Sequence, residues 1–279
     1  MEDFAMATAT ATIGAAVTSS DPERRQRIAD RIKLTAGQIF VGIGFVVLWE
    51  ISYRIGMVKP LISRSPAQVW NFLVKIVVDG TLWPALYSTL EATVIAFVLA
   101  SVTGIVIGIG LGLFPRIEAL IDPYLSAVNA MPRIAFAPIF ILIFGIGQPS
   151  KVALAFSVVV FILILNARAG IRTVDRDILT MATVMNITKL QMFMKILLPS
   201  AIPSIFAGLR LGVIYGLLGV VTSELIASRQ GLGQLIAWYA GTFVLEGVYA
   251  VVIILALVAS LMNVGMATLE RKLLRSRTA

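Results

Sequence analysis

The sequence predicts an all-α integral membrane protein with six transmembrane helices, and three observations carry that reading. Of the 279 residues, 58% are hydrophobic and 14% charged, against about 25% charged in soluble domains. The mean hydropathy is +0.93. The apolar residues gather into six stretches, close to the ~20 that a helix needs to cross a bilayer. These stretches lack the in/out alternation of a membrane barrel. A backbone in lipid must also satisfy its own polar groups, which leaves helices. A chain this apolar is not a soluble domain, a disordered regulator or a nucleic-acid-binding module, so its net charge of +8 belongs to loops beside a membrane.

Residues 1–35 read as a cytoplasmic tail, in part disordered. An Ala/Thr-rich run (6–12) precedes a densely charged one (21–33), whose end (24–33) suits a short helix on the membrane surface. The order of charge and apolarity is not that of a signal peptide. A transmembrane domain then occupies 36–272, and a second cytoplasmic tail 273–279. Its spans are expected at 38–57, 86–113, 121–147, 152–167, 202–226 and 248–269. Pro123, Pro132 and Pro138 break the third. A stretch at 231–243 is apolar but too short to cross; with Trp238 and Tyr239 it suits a re-entrant or interfacial position. With both termini cytoplasmic, 15 basic residues fall inside and six outside, Lys151 among the six.

The absences narrow the chemistry. There is no cysteine and no histidine, so thiolate nucleophiles, the commonest general base and the commonest transition-metal ligand are missing. No metal site or catalytic residue is expected. The nearest approach to a phosphate loop, Gly145-Ile146-Gly147-Gln148-Pro149-Ser150-Lys151, lacks the Gly-Lys step, so the chain has no nucleotide site of its own.

The loop 168–199, between spans four and five, is not loop-like. Ile178, Leu179, Met181, Ala182, Met185 and Ile187 recur at mixed three- and four-residue steps, as on a short amphipathic helix that Asp175 or Asp177 could cap. Its apolar side needs either the membrane surface or a partner protein. Thr180-Met181-Ala182, then Asn186, then Ile196-Leu197-Leu198-Pro199 resembles the cytoplasmic signature loop of binding-protein-dependent ABC importer permeases. That pattern is Glu-Ala-Ala, three residues, Gly, nine residues, Ile-x-Leu-Pro. The spacing fits, and Ala182, Ile196, Leu198 and Pro199 match; Thr180, Met181 and Asn186 depart. Asn tolerates the left-handed turn that Gly would supply, whereas Thr for Glu removes a charge. Leu61-Ile62-Ser63-Arg64-Ser65-Pro66, the run from Met131 through Pro138, Phe206-Ala207-Gly208-Leu209-Arg210-Leu211 and Gly231-Leu232-Gly233 are similar to segments of the permeases for nitrate, sulfonates, taurine and bicarbonate.

The resemblance implies the type I ABC importer permease fold, with the signature loop as a coupling helix. It implies a homodimer in the bacterial inner membrane, two cytosolic ATPase subunits that bind ATP and Mg, and an extracytoplasmic substrate-binding protein. The chain itself would hold no cofactor and catalyse nothing. Asp177, Thr180, Met181, Ala182, Met185, Asn186, Ile196, Leu198 and Pro199 are then the expected ATPase-coupling residues. Pro132, Arg133, Ala135, Pro138, Tyr215, Thr222 and Glu224 are expected along the path of a small anion. Charge within a span costs about 3 kcal/mol on insertion scales, so Arg133, Arg210, Glu91 and Glu224 either neutralise one another or serve transport. Gly104, Gly108 and Gly112, and Gly208, Gly212 and Gly216, repeat every four residues and suit close helix packing or a sliding surface. The rival readings are an ion-coupled carrier, which would need an inverted repeat and midplane acids, and a non-transporting scaffold.

Overall fold

The computed structural model describes residues 20–57 and 64–275, and its elements there are helical. The chain divides into two units, residues 1–67 and 68–279. The first carries helix α1 (Ser20–Arg54), an unbroken 35-residue helix. The short surface helix expected at 24–33 is therefore not a separate element. Between Pro22 and Gly37 nothing interrupts the helix, and the charged run continues straight into the apolar one across the expected boundary at residue 35. Residues 1–19, the Leu61-Ile62-Ser63 part of the motif after span one and residues 276–279 lie outside the described residues.

In the second unit the elements are α2 (Pro66–Val78), α3 (Leu82–Leu113), α4 (Pro115–Ala130), a 3₁₀ turn (Arg133–Phe136), α5 (Ala137–Phe144), α6 (Gln148–Arg172) and α7 (Arg176–Val184). They continue with α8 (Lys189–Met192), a π turn (Phe193–Leu197), α9 (Leu198–Ile226), α10 (Leu232–Gly241) and α11 (Leu245–Arg275). Among all the described residues, 33–54 of the first unit included, five stretches are long and apolar enough to cross a membrane, or six if the bent pair formed by 115–130 and 133–144 counts as one. The third span, expected at 121–147 and interrupted by its prolines, is two pieces meeting at 84°. Proline chemistry makes the break. Pro132 pushes Met131 out of the helical region, to φ −71°, ψ 135°. Pro138, in the first turn of α5, starts the α-helical part of the second piece. The amphipathic helix α2 is an element beyond the six expected spans, since at 13 residues it is too short to cross a bilayer.

Helix α6 is the centre of this unit. Leu154, Ala155, Val159, Leu163 and Ala167 on it are all 1% exposed or less. The two glycine stripes explain how its neighbours come so close. A Cβ on Gly104 would stand 2.7 Å from Cβ of Leu163, and one on Gly108 only 2.5 Å from the Ile164 carbonyl oxygen. On the other flank a Cβ on Gly208 would lie 2.7 Å from Cβ of Asn166, and one on Gly212 3.1 Å from Val159 Cγ1. Both stripes therefore pack within the chain, α3 and α9 each lying against α6, so that backbone approaches backbone as small-residue faces allow. At the end of α6, Arg168 pairs with Glu118 (3.3 Å) and Asp122 (2.5 Å) of α4, and Arg172 pairs with Glu118, which is itself buried.

Candidate functional site

Three features bear on function, and the direction of α6 orders them. At the bend, Arg133 follows the proline that ends α4. Its guanidinium lies 4.2 Å from the centre of the Phe161 ring. It donates to the Ser157 carbonyl at 3.1 Å and to Asn129 Oδ1 at 3.4 Å. Among the described residues no carboxylate lies within ion-pair distance of it. Arg133, Ile134, Leu154, Val158, Tyr215, Leu218, Gly219 and Thr222 line a cleft of about 270 Å³. Three residues expected along the path (Arg133, Tyr215 and Thr222) thus share one cleft. Pro132, Ala135 and Pro138 shape the bend but do not line it. The Thr222 hydroxyl is spent on its own helix, donating to the Leu218 carbonyl at 2.7 Å.

Glu224 does not join them. It lies on the side of α9 opposite the cleft-lining residues and is 1% exposed. Lys151, also buried at 2%, donates to Glu224 Oε1 (2.9 Å), Ser88 Oγ (2.9 Å) and the Gln230 carbonyl (2.5 Å), so all three of its N–H groups are used. Thr89 donates to Glu224 Oε2 at 2.9 Å, and the Gly233 N–H donates to the same oxygen at 2.9 Å. The Leu232 N–H donates to Thr89 Oγ1 at 2.9 Å. This knot joins α3, α6, α9 and the first turn of α10. Gly231 enters that turn at φ 133°, and a Cβ there would overlap the Glu224 carboxylate.

The knot corrects two expectations. Lys151 is not an outer-loop charge, and the intramembrane charges do not neutralise one another as two positive–negative pairs. Arg210 donates instead to Asn263 (2.9 Å), and Glu91 accepts from Gln148 (3.0 Å). A signal for Lys151 was present. Pro149 is a favoured residue for the first turn of a helix, so α6 begins at Gln148 and Lys151 falls inside it.

The third feature lies beyond the other end of α6. Asp175, not Asp177, caps α7, accepting from the Asp177 N–H at 2.9 Å. The helix closes with Asn186 at φ 56°, its N–H donating to Thr183 and that of Ile187 donating to Ala182. Thr188 and Gln191 then form a reciprocal capping box. The Thr180 hydroxyl donates to the Arg176 carbonyl (2.9 Å). Ala182 is buried, while Met181, Val184 and Met185 are 64%, 82% and 68% exposed. The segment runs into α9 through the π turn, where the Leu198 N–H reaches back five residues to Phe193. Pro199, without an N–H, leaves the helical ladder unfilled there. Ile196, Leu198 and Pro199 are half-buried in this junction.

Comparison with known proteins follows these features. Residues 100–275 match the family described as the binding-protein-dependent transport system inner membrane component. The taurine transport system permease protein TauC of Escherichia coli (strain K12) is 28% identical over 254 residues, covering 89% of this chain and 91% of that one. The riboflavin transport system permease protein RibX of Chloroflexus aurantiacus is 34% identical over 230 residues, covering 82% and 86%. Among solved structures, the inward-facing MetNI methionine ABC transporter aligns over 69% of this chain and 97% of its own with a TM-score of 0.57 and 17% identity, a likeness of fold. The all-helical fold, the broken third span and a match over well over half of the chain together make it a member of the binding-protein-dependent inner membrane component family, the permease subunit of an ABC importer.

Proposed function

We propose that two copies of this chain form the translocation path for a small anion. Residues 36–272 would be the membrane domain and both termini would face the cytoplasm. A cytosolic ATPase pair would drive the cycle, binding ATP and Mg that this chain does not hold, and an extracytoplasmic binding protein would deliver the solute. The observation that carries this reading is the apolar ridge of Met181, Val184 and Met185, more than half exposed on a well-capped helix. Caps at both ends make the segment a formed surface rather than a collapsed loop, and its exposed apolar side is what a partner groove covers. Thr180, with its hydroxyl turned to its own backbone, then makes an uncharged contact where related loops carry Glu. The bias of basic residues supports the orientation.

An anionic cargo is supported by Arg133, a cation without a carboxylate partner at the bend, and by similarity to permeases of taurine, aliphatic sulfonate and bicarbonate systems. The test is ATP hydrolysis in lipid by the chain co-purified with its ATPase, with and without binding protein and candidate anions. Stimulation by one loaded binding protein is the expected result and identifies the cargo. Failure of any ATPase to co-purify on co-expression would sink the reading.

A further inference from the structure

Building on the importer reading, we propose that the cleft at the bend is a solute-binding site within the permease itself, selective for an organic monoanion with an apolar body over small oxoanions. The polar side of the cleft is small and of one kind. Arg133 has five N–H donors, two of them engaged by Ser157 and Asn129. The cation–π contact with Phe161 holds the guanidinium in place before any ligand arrives. A charge within a membrane-spanning domain is costly without a counter-ion, and no carboxylate of the described residues supplies one. Tyr215 lines the same cleft, and its hydroxyl has no hydrogen-bond partner among the described residues. Together they offer donors to an acid group.

The apolar lining is Ile134, Val158 and Leu218, with Leu154 buried beneath them. The volume, about 270 Å³, compares with roughly 30 Å³ for one water in the liquid. A nitrate or bicarbonate, only a few waters in size, would touch the donors and leave the apolar wall wet. An aryl or alkyl sulfonate or carboxylate uses both kinds of lining, its acid on Arg133 and its hydrocarbon on Ile134, Val158 and Leu218. Thr222, whose proton is committed to Leu218, presents a lone pair, which suits a hydroxyl or amine on the ligand body but not a second acid group.

The test is saturation-transfer NMR on the chain co-purified with its ATPase in lipid nanodiscs, without binding protein. Benzenesulfonate is the probe, with nitrate and bicarbonate as competitors. Saturable binding is expected. Arg133→Gln and the cavity-filling Leu218→Trp should each weaken it at least tenfold. Leu142→Trp, on the exposed face of α5 (85% exposed), should not change it. Absence of saturable binding, or unchanged binding in Arg133→Gln, overturns the site. Displacement by nitrate or bicarbonate at concentrations equal to benzenesulfonate overturns the preference for an apolar body. ATP hydrolysis stimulated by loaded binding protein, read on the same preparation, is independent of these outcomes. Its absence with binding intact removes the importer reading and leaves the cleft standing.

Discussion

The two ends of α6 solve opposite problems. At its beginning, Lys151, Glu224, Thr89 and the first amides of α10 bury polar groups, and each of them finds a partner within the chain. Beyond its end, α7 and its cap expose apolar groups that nothing among the described residues covers. The first is a completed interior, since an unmatched charge there would be intolerable. The second is a surface left open, since exposed methionine and valine cost little that a protein partner cannot recover. Within one chain, self-sufficiency marks what holds the fold and insufficiency marks what it does.

The sharpest way to break this contrast is to unbalance the closed end. Lys151→Met leaves Glu224 buried without its cation and should cost about 3–5 kcal/mol, read as loss of monodisperse protein on size-exclusion chromatography in detergent. The double change Lys151→Met with Glu224→Leu should recover most of it. A single variant as heat-stable as the parent would show that the knot holds nothing. Next, Gly108→Val drives a side chain into the Ile164 carbonyl and should cost about 1–3 kcal/mol as overpacking, measured by thermal unfolding. Asn186→Val should cost about 1–2 kcal/mol for its left-handed backbone, and Asn186→Gly should be close to neutral. Smallest on stability is Val184→Asp at the open end, expected within about 0.5 kcal/mol of the parent. It should nevertheless abolish co-purification of the ATPase, and intact co-purification would mean that the ridge is not the docking surface.

Much of this was legible in the sequence. Five of the six spans appear near their expected positions, because a bilayer imposes a length that composition alone reveals. The turn at Asn186 and the amphipathic character of 176–185 follow from local chemistry. Less legible was whatever depends on partners distant in the chain. Glu224 read as a pathway residue because a charge within a span is costly and so suggests a use in transport. Its actual surroundings are set by Lys151, 73 positions away, and by the turn at Gly231. The prolines of span three announced a break, but not that Arg133 would turn toward Phe161 to share a cleft with Tyr215. The charged run before span one suggested a tail, yet helix formation needs only the absence of breakers, and α1 runs through it.

The glycine-lined contacts on both flanks of α6 also make a ruler. Backbones this close have no slack: side chains cannot rearrange to absorb a change in spacing where there are no side chains. Distances among α3, α6 and α9 therefore form an internal standard through the transport cycle. Spin labels on exposed positions of α3 and α9, such as Val98 and Leu211, define the fixed baseline against which displacement of the 84° elbow can be measured.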